Sequence, residues 1–176
     1  IQIIPILGNV SNYKLMELTL KKYEVQIIYH SAAYKHVPLV ETNPIEGILN
    51  NILTTKTVCE IAENLRINET ILLSSDKAVR PTSVMGVTKR ISELIFQAFA
   101  EKVQQDVNPL IKYSMVRFGN VLGSSGSVVP LFNEQIANGG PISITHQEVT
   151  RYFMTITEAA QLVLQDLLKS SNKKIT

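Results

Sequence analysis

Thr70-Ile71-Leu72-Leu73-Ser74-Ser75-Asp76-Lys77-Ala78, followed closely by Met85-Gly86-Val87-Thr88-Lys89, is the stretch that decides how this chain folds. Its apolar opening, bounded by polar residues, reads as a strand buried on both faces, the kind found in parallel sheets. Polar groups just past the carboxyl end of such a strand lie where open α/β sheets bind ligands. A hydroxyl (Ser75), a carboxylate (Asp76) and two amines (Lys77, Lys89) are therefore candidates for chemistry. Met85 and Lys89 stand four apart near the start of a helix and so share one face. Where a tyrosine holds the first of two such positions, the ammonium lowers its pKa from about 10 and makes it a base near neutrality. Met85 has no proton to exchange.

Working outward, residues 1–7 (Ile-Gln-Ile-Ile-Pro-Ile-Leu) read as a mid-sheet strand, residues 13–23 have helical spacing through Leu15, Leu18 and Leu20, and residues 25–29 are a β-rich apolar run. Pro44 suits the first turn of a helix that continues through Ile48, Ile52, Val58 and Ile61. After the central stretch, a helix over about residues 83–103 carries Ile91, Leu94, Ile95 and Phe99 on one face, and residues 112–118 form the next strand. This alternation predicts an α/β fold with a doubly wound parallel sheet, and right-handed crossovers place the loops after the strands on one edge. Beyond Phe118 the alternation stops. Residues 119–127 are a glycine and serine loop, 128–137 a helix, Gly139-Gly140-Pro141 a turn, 142–145 a short strand, and Thr157 the N-cap of a last helix through Leu164 and Leu168. The chain divides on this basis into residues 1–122, a partial Rossmann-like domain, and 123–176, part of a smaller substrate-binding layer.

With 176 residues, 45% of them hydrophobic and 18% charged, the chain has the composition of one soluble globular domain with a real core. Seventeen basic against fifteen acidic residues give a formal charge of +2, and the lysines are scattered rather than striped, so nucleic acid is not an expected partner. The single cysteine, Cys59, reads as a small core residue in a chain of a reducing compartment, which makes the cytoplasm the expected location. His30, His36 and His146 lack metal-ligand spacing and read as packing or hydrogen-bonding residues; no metal is expected. The loop over 119–127 has neither the G-x-G-x-x-G nor the P-loop spacing. No apolar run approaches the ~20 residues of a membrane span. The opening in a mid-sheet strand without Met suggests a fragment of a longer protein.

Five blocks occur in order: residues 29–38 (Tyr-His-Ser-Ala-Ala-Tyr-Lys-His-Val-Pro), Ser75-Asp76-Lys77-Ala78, Met85-Gly86-Val87-Thr88-Lys89, residues 117–123 (Arg-Phe-Gly-Asn-Val-Leu-Gly) and residues 150–155 (Thr-Arg-Tyr-Phe-Met-Thr). Together they resemble the nucleotide-sugar 4,6-dehydratases of bacterial polysaccharide biosynthesis, in the extended short-chain dehydrogenase/reductase superfamily, over nearly the whole chain. Within that family the chain is similar to the branch with Met in place of the catalytic Tyr, as in the large membrane-anchored dehydratases acting on UDP-N-acetylglucosamine.

The resemblance implies an internal redox cycle on a UDP-sugar: hydride leaves sugar C4 for a tightly held NAD or NADP, with NAD favoured, water leaves across C5 and C6, and hydride returns at C6. By position, Lys77 matches the base at C5, Asp76 the acid at the C6 hydroxyl, and Ser75 the group bonding the C4 oxygen. At ordinary pKa values Asp is ionised and Lys protonated at pH 7, so both must shift to take those roles. With Met85 inert, the C4 hydroxyl proton falls to Asp76, a water or the Ser75 network. Lys89 matches the lysine on the nicotinamide ribose. Ala32 and Ala33, with Tyr34, let the cofactor approach the backbone; Asn9, beside Val10, stands where the family has an Asp facing the adenine; Asn51 matches a structural Asn of the superfamily's helix, and Phe118 completes the cofactor-side set. Lys35 lies by the pocket, while Asn120, the 123–129 loop with Ser127 and Val128, and Arg151 match positions that hold the UDP part, a guanidinium fork suiting a diphosphate.

A homo-oligomer is expected, and a membrane anchor elsewhere in the parent protein. The superfamily's first βαβ, with its glycine-rich phosphate turn, is expected ahead of Ile1; the isolated chain is accordingly expected to bind cofactor poorly and to turn nothing over. Two rivals stand beside this reading. A nucleotide-sugar 4-epimerase would have Tyr at position 85 and no need of Asp76 and Lys77; a non-catalytic sugar-nucleotide-binding remnant would account for the absent tyrosine and phosphate turn.

Overall fold

In a computed structural model that describes residues 2–105, 111–124, 127–144 and 146–172, strands and helices alternate as the hydrophobic pattern predicts. Strands β1 (Ile27–His30), β2 (Glu69–Ser75) and β3 (Lys112–Phe118) form a parallel sheet in that order. The register runs Ile27↔Glu69 to His30↔Leu72 on one side of β2, and Glu69↔Lys112 to Ser75↔Phe118 on the other. Side chains alternate across a sheet, so Ile28, His30, Thr70, Leu72, Ser74, Tyr113, Met115 and Arg117 share one face.

Helices α3 (Pro44–Asn64) and α4 (Val84–Gln104) cover that face. Val58, Ile61 and Ala62 of α3 pack with Ile28 and with Leu20 of α1 (Tyr13–Lys22). Cys59 and Leu72 pack with Phe96, whose ring meets Tyr113 edge-on at 5.3 Å. The Tyr113 hydroxyl donates to the Cys59 carbonyl at 3.1 Å, tying β3 to α3. Burial pushes the Cys59 thiol up, with Glu60 and Glu63 adding to the effect, so it stays a neutral core group. The opposite face is covered by α6 (Ile156–Asn172), where the Ser114 hydroxyl donates to the Asp166 carboxylate at 2.5 Å. The tail beyond residue 122 thus shares its last helix with the sheet.

Several elements differ from the sequence expectation. Residues 2–7 are not a strand: a strand needs a neighbour for its backbone groups, and this segment pairs with none of the described strands, leaving Ile3 and Leu7 at 85% and 101% exposure; Ile1 lies outside the described residues. Residues 142–144 form no strand either, Ser143 being held by hydrogen bonds with the Gln135 side chain, and Thr145 lies outside the described residues. The last helix is capped not by Thr157 but by Thr155. Its hydroxyl accepts from Glu158 N–H at 3.1 Å while the Glu158 carboxylate accepts from Thr155 N–H at 2.7 Å, a reciprocal capping box. Helix α2 (Val37–Thr42) and the short strands β4 (Asn120–Val121) and β5 (Phe153–Met154) give too few residues for a period to register.

The inward face of α4 is the most instructive difference. Ile95 and Phe99 pack on the core as expected, but Leu94 is 47% exposed, and the buried positions are Met85, Gly86, Thr88, Lys89, Ser92, Glu93, Phe96 and Val103. Half of that buried stripe is polar, Thr88, Lys89, Ser92 and Glu93, because those side chains find partners on α3 and at the strand ends. Replacing Phe96 by Ala is expected to cost about 3–5 kcal/mol in urea unfolding, and Leu94 by Ala about 0.5 kcal/mol or less. Equal losses would mean that Leu94 faces the core as Phe96 does.

Candidate active site

The centre of the site is a single tight turn. Strand β2 ends at Ser75, which caps the 3₁₀ turn Asp76–Ala78. The Ser75 hydroxyl accepts from the Lys77 backbone N–H at 3.2 Å and donates to Asp76 Oδ1 at 2.9 Å. Lys77 Nζ donates to Asp76 Oδ1 and to Asn120 Oδ1, each at 3.1 Å. Ser75, Asp76, Lys77 and Asn120 therefore form one hydrogen-bonded array at the carboxyl edge of the sheet. The Lys77 and Asp76 side chains remain 32% and 39% exposed, so a pair of little worth to stability is open to a ligand.

Two glycines permit this closeness. A Cβ on Gly86 would lie 2.5 Å from the Lys77 carbonyl oxygen, so the first turn of α4 presses on the 3₁₀ turn only with glycine there. A Cβ on Gly119 would lie 2.6 Å from the Tyr152 carbonyl oxygen, which accepts from Asn120 N–H at 2.9 Å. That bond and the β4–β5 pairing, which sets Asn120 opposite Phe153, fix Asn120; half-buried Arg151 precedes Tyr152 in the chain.

Met85 and Lys89 follow on the inner face of α4, at 4% and 9% exposure. Lys89 Nζ donates to the Leu73 carbonyl at 2.7 Å, two residues before Ser75. Burial lowers the Lys89 pKa from 10.5 to about 8, against the opposing pull of the Glu93 charge. Next to it a polar network fills the α3–α4 interface. Asn51 accepts from Tyr34 N–H at 2.7 Å and donates to the Tyr34 carbonyl at 3.1 Å and the Thr88 hydroxyl at 2.9 Å. Asn51 is 1% exposed, and it holds the loop after β1 in place from within. His30 Nε2 lies 3.0 Å from the Thr55 hydroxyl, which in turn reaches Ser92 at 3.1 Å. Burial, then the Lys89 charge, lowers the His30 pKa to about 4 and keeps the imidazole neutral.

Sequence reasoning passed over Glu93, which is 1% exposed. Its Oε1 accepts from Ser74 Oγ at 2.6 Å and Arg117 Nε at 2.7 Å, and its Oε2 from an Arg117 terminal nitrogen at 2.6 Å and from Arg90 at 3.0 Å. Burial alone would raise its pKa; the hydrogen bonds from Arg117, Ser74 and Arg90 outweigh that and bring it to about 2. The available signal was its place four residues after Lys89, on the same helical face.

The remaining candidates occupy separate places. Asn9 accepts from the Ser11 N–H and hydroxyl at 2.9 and 2.8 Å within its own turn, and Val10 packs against the core beside α1. Ala32 and Ala33 are half-buried directly after β1, followed by exposed Tyr34 and Lys35. Phe118 ends β3 opposite Ser75. Ser127 and Val128 begin α5 (Val128–Ala137); Ser125 and Gly126 of that loop lie outside the described residues. An apolar groove of about 490 Å³ between α2, α3 and the start of α4, lined by Ile48, Ile52, Pro81, Val84 and Val87 among others, contains none of these residues. Among the described residues no three His, Cys, Asp or Glu side chains gather as metal ligands, and no helix is long and apolar enough to cross a membrane.

Residues 1–176 match in full the family described as polysaccharide biosynthesis protein. The chain belongs to that family. It is 48% identical over 165 residues to the capsular polysaccharide biosynthesis protein CapD of Staphylococcus aureus, covering 94% of this chain and 27% of that protein. It is 37% identical over 158 residues to UDP-glucose 4-epimerase of Rickettsia akari, covering 90% of this chain and 45% of the epimerase. Among solved structures, Pen from Bacillus thuringiensis superposes with a TM-score of 0.83 at 32% identity over 91% of this chain and 48% of that one. The chain thus spans about a quarter to a half of the length of these relatives. Family and fold agree: the chain is a part of a polysaccharide biosynthesis protein of this family, built on a Rossmann-like α/β architecture.

The buried His30 sets a pH dependence. Its folded pKa of about 4 lies below the ordinary 6.5, so the unfolded chain takes up the proton first and stability falls as pH drops from about 6.5 to about 4. Urea midpoints across that window are expected to decline in the parent sequence and to flatten in His30→Gln; an unchanged slope would contradict a buried neutral imidazole.

Proposed function

We propose that the protein containing this chain removes water from UDP-N-acetylglucosamine to give a 4-keto-6-deoxy sugar nucleotide, using NAD in preference to NADP. The observation that carries the reading is the array in which Ser75 donates to Asp76 while Lys77 donates to Asp76 and Asn120. Elimination of water across C5 and C6 needs an acid and a base side by side on one face of a sugar, and this array offers both at the carboxyl edge of the sheet.

The residues present fit the nicotinamide end of a dinucleotide. Ala32 and Ala33 offer little bulk after β1, and the Lys89 ammonium, with three hydrogens, commits one to the Leu73 carbonyl. When bound, NAD supplies a hydride acceptor for sugar C4 and a donor for C6. The chain's own residues handle the protons. Ser75 already donates to Asp76, so it can accept from the C4 hydroxyl and pass its own hydrogen to that carboxylate. Asp76 thereby gains the proton that it gives to the departing C6 hydroxyl. The Lys77 side chain is assigned the C5 proton, which it takes from the sugar and returns to C5 after the water has left. The proton count closes without a tyrosine at position 85.

On the nucleotide side, the reading assigns Asn120, Arg151, Lys35, Ser127 and Val128 to the UDP part. Its support is the Ser127 hydroxyl, which is enclosed, has no hydrogen-bond partner among the described residues, and stands at the N-terminus of the ten-residue helix α5. We assign residues 1–122 to the cofactor side and 123–176 to the substrate side, and include a cytoplasmic location, a homo-oligomer and a membrane anchor elsewhere in the longer protein. Exposed Ile48, Leu49 and Leu53 on α3 and Val87 on α4 support the oligomer.

The likeness to UDP-glucose 4-epimerase favours a second reading, 4-epimerisation of a UDP-sugar. Met85 argues against it, since the epimerase reading wants a tyrosine there. In the full-length protein, Asp76→Asn and Lys77→Met are each expected to lower the rate of dehydrated product by about 10²–10⁴-fold, measured by mass spectrometry. Rates within twofold of the parent would remove the acid and base roles.

A further inference from the structure

Ser74 and Arg117 are register partners across β2 and β3, and each is the penultimate residue of its strand. Both side chains point to the face covered by α4, and both end on one carboxylate, Glu93. Lys77 lies three residues beyond Ser74, and Asn120 three beyond Arg117. At about 3.3 Å per residue these are short levers, with the 3.1 Å Lys77–Asn120 contact closing the loop between them. One helical turn before Glu93, Lys89 reaches the Leu73 carbonyl next to Ser74. A single buried carboxylate thus joins the strand end that carries the acid–base turn, the strand end that carries Asn120, and the helix that carries Lys89.

We propose that Glu93 is a positioning residue of the reaction, fixing the Asp76–Lys77 turn against Asn120 and Lys89 through its bonds to Ser74 and Arg117. The inference rests on the dehydratase reading above for what is being positioned. Stability is a poor reason for such a group. Taking a carboxylate to 1% exposure costs its hydration, and its partners Arg117 and Arg90 are each 41% exposed, where water screens the attraction. What an apolar pair lacks is direction: the carboxylate's two oxygens accept from Arg117 in a planar fork and from Ser74, which fixes the strand ends in angle as well as distance.

The test uses the full-length protein with two variants: Glu93→Gln, which keeps the shape but not the charge, and the double change Glu93→Met with Arg117→Met, which restores an uncharged, packed pair. Positioning predicts that both lower kcat for dehydration about 10- to 100-fold at temperatures well below unfolding, with the sugar KM within about twofold of the parent. It also predicts faster amide hydrogen exchange at residues 75–78 and 119–121 of Glu93→Gln, with residues 58–62 of α3 unchanged. A kcat within twofold of the parent in either folded variant overturns the proposal, as does unchanged exchange at 75–78. If the parent protein itself releases no dehydrated product, the dehydratase reading fails, and the exchange rates alone decide whether the clamp holds the turn.

Discussion

The parallel register of β2 against β3 is the constraint on which the rest depends. It sets Ser75 opposite Phe118 and Ser74 opposite Arg117, so the chain leaves both strands at the same level. Everything that resembles a site is built on those two exits: the 3₁₀ turn with Asp76 and Lys77 after one, Gly119 and Asn120 after the other. A slip of one residue would send every side chain of a strand to the opposite face, separating Ser74 and Arg117 from Glu93 and leaving that carboxylate buried without its donors.

Around those exits the molecule uses polar packing where most helix–sheet interfaces use apolar side chains. Asn51, Thr55, Thr88, Ser92 and His30 bond one another between α3 and α4, and Lys89 and Glu93 continue the stripe to the strand ends. Each group has a partner, so desolvation is offset, and the partners are directional. The consequence is a rigid floor beneath an exposed ion pair. Asp76 and Lys77 keep access to a ligand while Ser75, Asn120 and the backbone hold them.

The sheet and its crossover helices were legible because apolar strands and helical spacing record burial directly. In β2 the Ile71-Leu72-Leu73 run between polar ends marks a buried central strand. Other parts left no such record. The strand expected over residues 1–7 has the right side chains, but a strand depends on a neighbour as much as on its own residues. The inward face of α4 escaped because periodicity counts only apolar residues, and here Thr88, Lys89, Ser92 and Glu93 face inward while Leu94 faces out. The Asp76–Lys77 turn was legible as a polar group at a strand end; its link to Asn120, across 43 positions of sequence, is a product of the register, and family resemblance had set Asn120 only on the UDP side. Glu93 carries no local mark at all beyond its spacing from Lys89.

The central claim is that Asp76 and Lys77 remove the elements of water across C5 and C6 of a UDP-sugar. It is tested most directly by incubating the full-length protein with UDP-N-acetylglucosamine and NAD in deuterium oxide and weighing the product. The account predicts a sugar nucleotide lighter by one water that carries one carbon-bound deuterium, at C5, delivered from the exchangeable amine of Lys77. A UDP-N-acetylhexosamine of unchanged formula, epimerised or not and without carbon-bound deuterium, would contradict it.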